Sequence, residues 1–150
     1  MSHVALYSQH ERRLSKQPAT LIKNMQANND ILIVDDEAPI AQLLADVLQD
    51  EGYSIRVARD GASALLEIIN RPPGLVLLDV AMPVMLGSDL LVYLRRHGFS
   101  ALPIIIMTAG LSPLLYLAQG ATEVLPKPFD VNVVVEKVAH YFPHRTRRNE

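Results

Sequence analysis

The chain alternates between two patterns of apolar and polar positions. Short continuous apolar runs, which are typical of strands buried on both faces of a parallel sheet, lie at 31–35, 75–79 and 103–107. Shorter strand-like segments lie at 54–58 and 123–125. Between these runs, apolar residues recur every three or four positions, which is the period of a helix with one buried face.

Residues that cap or break helices bound five helical segments. Asp60, Ser112 and Asp130 are N-cap candidates for the second, fourth and fifth helices, and Gly98 and Gly120 end the third and fourth. The first helix has one apolar face, formed by Ile40, Leu43, Leu44, Val47 and Leu48. Strict alternation of strands and helices predicts parallel strands joined by right-handed crossovers, and hence a doubly wound α/β sandwich of five βα units.

Polar side chains follow four of the predicted strands, at the edge where sheets of this kind bind ligands. Asp35 and Asp36 end the first strand and Asp79 ends the third. Thr108 and Lys127 follow the fourth and fifth strands. Carboxylates that lie close together have raised pKa values unless a cation lies among them, and Mg²⁺ binds one or two carboxylates alongside water and phosphate oxygens. The sequence therefore predicts a Mg²⁺-assisted phosphoryl site.

Each of these residues has a chemical role in such a site. The Asp79 carboxylate is the candidate nucleophile, because an aspartate can form an aspartyl phosphate. Asp35 and Asp36 would hold the metal. Lys127 would neutralise charge that develops on the phosphoryl group, and the Thr108 hydroxyl would donate a hydrogen bond to it. Taken singly, each residue also fits a helix cap, a turn hydroxyl or a solvated charge, so the prediction rests on their convergence at one edge.

Composition and charge narrow the class of protein. The chain has 150 residues and 49% hydrophobic content, which suits about one domain. No apolar stretch approaches the roughly 18 residues of a membrane span, and the first residues lack a signal-peptide core, so we expect a cytoplasmic protein. The absence of cysteine excludes disulfides and thiolate chemistry. Residues 31–142 carry seven Lys and Arg against thirteen Asp and Glu, and the weakly basic ends do not predict nucleic-acid binding.

Four segments contain the candidate site residues and the strands that carry them: ILIVDDEAPI at 31–40, LVLLDVAMPVMLG at 75–87, PIIIMTA at 103–109 and GATEVLPKPF at 120–129. In the sequence, order and spacing of these segments, the chain resembles the receiver domain of bacterial two-component response regulators. The resemblance implies a flavodoxin-like (βα)5 fold with strand order 2-1-3-4-5. It also implies that residues 30–142 form the receiver domain. We expect residues 1–29 to form a flexible N-terminal extension and residues 143–150 to form a basic C-terminal tail.

The resemblance implies a role for each site residue. Asp79 corresponds to the phosphoacceptor of the family. Asp36 and Asp79 correspond to direct Mg²⁺ ligands, with Asp35 acting through water and the backbone carbonyl of Ala81 completing the metal site.

The remaining implications concern the response to phosphorylation. Thr108 and Lys127 correspond to the hydroxyl and the lysine that read the phosphoryl group, and the bond between Lys127 and Pro128 is expected to be cis. The implied phosphoryl donor is a sensor histidine kinase or a phosphotransfer protein of a phosphorelay. We expect a phosphorylated signalling protein and not an enzyme.

Two features depart from the family pattern. Receivers usually have Tyr or Phe three residues before the lysine, whereas this chain has Val124 and so lacks a ring that could swing inward. Thr108 and Lys127 are also closer in sequence than is usual, which shortens the fourth helix and the loop before it. If Leu114, Leu117 and Ala118 face the sheet, Leu115 and Tyr116 point outward. These two residues are then either ordinary exposed apolar residues or a contact for a homodimer or another protein.

Two functions are compatible with these observations. In the first, the chain is a stand-alone response regulator that acts through a downstream protein, because the segment after Tyr141 is too short for a DNA-binding unit. In the second, the chain is a receiver-like scaffold with an atypical or constitutive output. The presence of Val124 in place of an aromatic residue favours this second function. A phosphatase of the haloacid dehalogenase type would need a carboxylate where Ala81 stands.

Overall fold

The computed structural model describes residues 30–82, 85–110 and 112–143. Five strands and five helices alternate along these residues. Their bounds are β1 Asp30–Val34, α1 Ala38–Asp50, β2 Ser54–Ala58, α2 Gly61–Asn70, β3 Leu75–Asp79, α3 Gly87–Arg96, β4 Ile104–Thr108, α4 Pro113–Ala118, β5 Glu123–Pro126 and α5 Val131–Ala139.

The strands form one parallel sheet in the order β2-β1-β3-β4-β5, which confirms the predicted flavodoxin-like (βα)5 fold. Every residue of β1, β3 and β4 is buried, because helices cover both faces of the sheet. The register pairs Val34 with Leu78, so the carboxyl ends of β1 and β3 lie side by side. This alignment brings the residues after the two strands to one edge.

Two apolar clusters form the core, one on each face of the sheet. The first packs against α2 and α3 and includes Ala64, Leu65, Ile68, Leu90, Leu91 and Leu94. The second packs against α1 and α5 and includes Ala41, Leu44, Ala45, Leu48, Val134 and Val138. Successive strand residues alternate between the two clusters, because side chains of a strand point to opposite faces.

The inward face of α1 differs slightly from the predicted one. Ala41, Leu44, Ala45 and Leu48 are buried, whereas Leu43 is half exposed. The apolar face of the helix is wider than the strip that touches the sheet, and the small alanines allow the closest approach. Asp60 and Asp130 cap α2 and α5 as predicted, each accepting a backbone hydrogen bond.

The orientation predicted for α4 is wrong for Leu114, Leu117 and Tyr116, and only Leu115 is exposed as expected. Tyr116 is the half-buried residue of this helix and packs against the first apolar cluster, so it does not point outward. Leu114 and Leu117, which were expected to face the sheet, are exposed, as is Leu115. The helix has six residues and ends at Ala118, and the turn after it contains Gly120, whose φ is 107°. A helix of fewer than two turns is too short to pack several apolar residues in a row against the sheet. The Tyr116 side chain makes the contact with the first apolar cluster instead.

Predictions for the two ends of the chain lie largely outside the described residues. These are the flexible extension at 1–29 and the basic tail at 143–150, of which only Pro143 is described. None of the helices in the described part of the chain has the length and apolar character that a membrane span needs.

Candidate functional site

Three carboxylates meet at the carboxyl edge of the sheet. One oxygen from each of Asp35, Asp36 and Asp79 lies within 4.8 Å of the others. Asp35 and Asp79 are buried, while Asp36 is exposed. The sequence predicted this meeting because β1 and β3 are neighbours that end at the same level. The cluster therefore has two carboxylates inside the protein and one at its mouth.

Lys127 lies between the two buried carboxylates. Its Nζ is 3.3 Å from Oδ2 of Asp35 and 3.4 Å from Oδ1 of Asp79. The backbone holds it beside β4, because the Lys127 amide donates to the Thr108 carbonyl at 2.7 Å. The peptide bond between Lys127 and Pro128 is cis, as expected. Burial alone would lower the pKa of Lys127, but Asp79 and Asp35 outweigh it and raise this pKa above its ordinary value.

Of the two buried carboxylates, Asp79 has the weaker set of hydrogen-bond and charge partners. Burial raises its pKa, repulsion from Asp35 raises it further, and Lys127 with the Ala81 amide only partly opposes these effects. Its Oδ1 accepts from the Ala81 amide at 3.4 Å, whereas its buried Oδ2 has no hydrogen-bond partner among the described residues. A buried oxygen without a partner is unfavourable, so this atom is available to a cation or an incoming electrophile.

Asp35 is already engaged on both of its oxygens. Oδ1 accepts from the Glu37 amide at 2.9 Å, at the start of α1, and Oδ2 contacts Lys127. Asp36 makes no side-chain hydrogen bond within the described part of the chain. This difference agrees with the roles that the family resemblance implies, in which Asp36 and Asp79 bind a metal directly and Asp35 acts through water. The donor set, all hard oxygens with an unpartnered buried atom, fits Mg²⁺.

Thr108 lies at the same edge but is not bonded to the carboxylates. Its buried hydroxyl accepts from the Gly110 amide at 3.0 Å. Because a hydroxyl can donate and accept together, its proton stays available to another acceptor. The role of Thr108 toward a phosphoryl group stays a prediction.

Val124 lies in β5, and Ala81 lies two residues after Asp79, the last residue of β3. Val124 is half buried and packs an aliphatic side chain, without an aromatic ring, against the first apolar cluster. Ala81 follows Asp79 closely and is exposed. The metal-binding role of its carbonyl stays a prediction.

Gly87 is a residue of the site that sequence reasoning missed. A Cβ atom at this position would lie 2.1 Å from the Asp79 carbonyl oxygen and 2.8 Å from the Val80 Cα. The Gly87 amide also donates to the Val80 carbonyl at 3.2 Å, which closes the loop after β3. The absence of a side chain thus sets the path of the chain beside Asp79. The available signal was a glycine opening the helix after the strand that carries the nucleophile.

Comparisons with known proteins agree with this geometry. A family model described as the response regulator receiver domain matches residues 31–139. The DNA-binding response regulator MtrA of Mycobacterium tuberculosis is 38% identical over 123 residues, which cover 80% of this chain and 51% of MtrA. The transcriptional regulatory protein CpxR of Escherichia coli is 40% identical over 113 residues, which cover 73% of this chain and 47% of CpxR.

Solved structures show the same fold. The receiver domain of the Francisella response regulator 1452 superimposes with a TM-score of 0.73 at 28% identity, covering 76% of this chain and 96% of that one. Chemotaxis protein CheY4 of Vibrio cholerae gives a TM-score of 0.70 at 32% identity, covering 77% and 99%. The chain spans about half the length of MtrA and CpxR. The expectation of a stand-alone regulator is therefore not confirmed.

Proposed function

Because the chain belongs to the response regulator receiver domain family, we propose that its Asp79 carboxylate accepts a phosphoryl group in a Mg²⁺-dependent phosphorelay. The observation that supports this proposal is the buried Asp79 carboxylate, whose Oδ2 has no hydrogen-bond partner among the described residues. This carboxylate lies beside Asp35 and Asp36, and its Oδ1 contacts Lys127. The proposed donor is the phosphohistidine of a sensor histidine kinase or of a phosphotransfer protein.

The proposed step is a displacement at phosphorus. An Asp79 oxygen forms the new P–O bond while the P–N bond to the donor imidazole breaks. The electron pair of that bond stays on the imidazole nitrogen, which then takes up a proton. Lys127, which contacts both buried carboxylates, reduces the repulsion between Asp79 and an anionic phosphoryl group and binds one of its oxygens. The Thr108 hydroxyl donates to another.

The metal would be held by this chain's own oxygens. Asp36 and Asp79 would bind Mg²⁺ directly, Asp35 would act through water, and the Ala81 carbonyl would complete the site. When bound, Mg²⁺ supplies positive charge that stabilises the phosphoryl oxygens. Asp35 keeps its orientation through the Glu37 amide, so this carboxylate needs no rearrangement to serve the site.

The proposed output is a change in protein binding and not catalysis of a further reaction. A phosphoryl group adds about −1.5 to −2 charge at the edge of the sheet, which can reposition Thr108 and Lys127. The exposed Leu114, Leu115 and Leu117 of α4 offer an apolar surface to a downstream protein or a second copy of the chain. DNA binding is stated in the name of MtrA and is not part of our proposal. A cytoplasmic location remains a prediction.

A second candidate is a receiver-like scaffold that binds its partner constitutively. The observation that favours it is Val124, which packs an aliphatic side chain where the family usually has an aromatic ring. In that case Asp79 can still accept a phosphoryl group, but the α4 surface responds little.

Labelling of Asp79 tests the first proposal. The full chain and the Asp79→Asn variant are incubated with acetyl phosphate and Mg²⁺, with and without a chelator, and analysed by intact mass spectrometry. We expect one added phosphoryl group on the wild type, none on Asp79→Asn, and a strong loss of labelling with the chelator. Equal labelling of both proteins would show that Asp79 is not the acceptor.

The two candidate functions differ in how the α4 surface responds to phosphorylation. Backbone NMR spectra recorded before and after addition of beryllofluoride and Mg²⁺ report on residues 112–120. Large shifts that disappear in Asp79→Asn support the switched regulator. Normal labelling of Asp79 without such shifts supports the constitutive scaffold.

A further inference from the structure

Helix α4 is held to the domain by few contacts. None of its six residues is buried, and Leu114 is 78% exposed. Within α4, Tyr116 is the one residue that packs against the first apolar cluster. Since tertiary packing supplies most of the stability of a short helix, the position of α4 must depend on contacts at its ends.

The carboxyl end of α4 is fastened by Arg95 of α3. The half-buried Arg95 guanidinium donates from Nε to the Gly120 carbonyl at 2.7 Å. Its Nη1 donates to the carbonyls of Phe99 at 2.6 Å and Leu102 at 2.7 Å. One side chain therefore ties the end of α4 to the loop between α3 and β4, through charge-assisted hydrogen bonds that are stronger than neutral ones.

The turn after α4 is shaped to receive Arg95. Gly120 has a φ of 107°, and a Cβ atom there would lie 2.8 Å from the Arg95 Cγ. Thr122 continues the attachment, because its hydroxyl accepts from the Ile104 amide at 2.9 Å and lies 3.4 Å from Arg95 Nη2. The Thr122 amide also donates to the Ile104 carbonyl at 2.8 Å. The carboxyl end of α4 is thus joined to the start of β4.

The amino end of α4 has no comparable attachment within the described residues. The Ser112 side chain makes no capping hydrogen bond, and Ser112, Pro113 and Leu114 are all exposed. This end is also the nearer one in sequence to Thr108, the residue proposed to respond to the phosphoryl group. The two ends of the helix are therefore held very differently.

We propose that α4 pivots about its carboxyl end, with Arg95 as the positioning residue that holds the pivot. When the phosphorylation site changes, the amino-terminal turn moves while Gln119 and Gly120 stay fixed to α3 and β4. The exposed Leu114 and Leu115 then move with this turn, so a partner protein meets a different surface. This response does not require an aromatic side chain at position 124. This inference rests on the proposed function, because it describes how that site is connected to the surface.

Amide hydrogen exchange of the full chain tests the pivot. Arg95→Met removes the hydrogen bonds of the guanidinium, and Arg96→Met is the matched control, because Arg96 is the exposed neighbour on the same helix. We expect Arg95→Met to raise exchange at Gln119 and Gly120 by about tenfold, which is the effect of losing one charge-assisted hydrogen bond. Arg96→Met should change it less than about twofold.

The second half of the test uses beryllofluoride with Mg²⁺. In the wild type, exchange should change at residues 114–116 and stay constant at Gln119 and Gly120; in Arg95→Met it should change at both ends. Equal changes at both ends of wild-type α4, or equal exchange at Gln119 in Arg95→Met and Arg96→Met, would overturn the pivot. If Arg95→Met does not fold, Arg95→Lys replaces it, since a single ammonium group cannot span the same carbonyls.

The two proposals can fail separately. The absence of any effect of acetyl phosphate on Asp79 would reject the proposed function. The comparison of Arg95→Met with Arg96→Met in the unphosphorylated protein would still decide whether Arg95 fixes the end of α4.

Discussion

At the scale of single residues, Gly87 is a position where side-chain size decides whether the site can form. We expect Gly87→Ala to lower the free energy of unfolding by roughly 2 kcal/mol or more, because the added methyl group meets the Asp79 backbone. The variant should also be labelled more slowly by acetyl phosphate, since the Asp79 loop must shift. Urea denaturation measures the first effect. Ser88→Ala is the control and should stay within about 0.5 kcal/mol of the wild type.

The charge of Asp79 has a stability cost that can also be measured. Its pKa is raised by burial and by Asp35, so the folded protein binds this proton more tightly than the unfolded chain does. The cost is absent below the ordinary pKa of 3.8 and fully present above the raised pKa. In the presence of a chelator, Asp79→Asn should therefore be more stable than the wild type at about pH 7.

The pH dependence separates this effect from a general change in packing. The stabilisation by Asp79→Asn should shrink as the pH falls through the raised pKa toward about pH 4. A difference between the two proteins that stays constant over this range would contradict the electrostatic explanation. Thermal unfolding at several pH values, always without Mg²⁺, provides the measurement.

At the scale of secondary-structure elements, β5 and α5 are joined by a polar contact away from the phosphoryl site. The Lys137 Nζ lies 3.1 Å from Oε1 of Glu123, and the Tyr141 hydroxyl donates to Oε2. Burial alone would raise the pKa of Glu123, but the hydrogen bonds from Tyr141 and Lys137 outweigh it and lower this pKa. The contact therefore stabilises the fold above the ordinary pKa of 4.5 and is lost as the pH falls through the lowered value.

Glu123→Gln tests this contact between β5 and α5. We expect it to lower the free energy of unfolding at about pH 7 by less than about 1 kcal/mol, because a third of the Glu123 side chain is exposed and solvent screens the charges. The difference from the wild type should shrink below the ordinary pKa of 4.5 and close as the pH falls through the lowered pKa of Glu123. Glu136→Gln, at an exposed position of α5, is the control and should stay within about 0.5 kcal/mol of the wild type at about pH 7. A loss that persists in acid would point to packing.

The same scale shows which elements the sequence could predict. The positions of the five strands, and the complete burial of β1, β3 and β4, follow from the apolar runs and their lengths. The caps of α2 and α5 follow from Asp60 and Asp130. The rotation of α4 could not be obtained in this way, since a helix of six residues has too few positions to define a face. Leu43 was assigned to the apolar face of α1 but is half exposed. The helical period identifies an apolar face, but it does not tell which residues of that face touch the sheet.

Contacts between distant segments set the other limit. The sequence could place the four charged site residues together, because each lies at the carboxyl end of a predicted strand and the family resemblance implied the strand order. These residues are Asp35, Asp36, Asp79 and Lys127. Arg95 could not, because its role comes from three carbonyl oxygens in loops that carry no side-chain pattern. The sequence thus predicts a site that the strand ends build, and misses the attachments that loop backbones make.

At the scale of the whole molecule, the phosphoryl site and the end of the described chain lie at opposite edges of the sheet. Phe142 follows α5 and packs against Tyr53, which precedes β2, with ring centroids 5.0 Å apart and planes inclined by 48°. Both rings belong to the second apolar cluster and are buried. This pair joins the carboxyl-terminal helix to the turn between α1 and β2, far from Asp79.

Truncation of Phe142 should separate stability from function. We expect Phe142→Ala to lower the free energy of unfolding by about 3 kcal/mol, through the lost burial and the cavity left beside Tyr53. Leu114→Ala removes apolar surface at a position that is 78% exposed and should cost less than about 0.5 kcal/mol. Urea denaturation compares the two variants.

The labelling rate of Asp79 completes this comparison. At a temperature where Phe142→Ala is folded, acetyl phosphate should label it as fast as the wild type, because β1 and β3 hold the carboxylates independently of the opposite edge. A slower rate in the folded variant would show that α5 transmits strain through the second apolar cluster to Asp35 and Lys127. The packing around Phe142 and the rate of phosphoryl transfer to Asp79 would then be coupled across the whole sheet. The reactivity of the site would depend on contacts at both edges of the sheet.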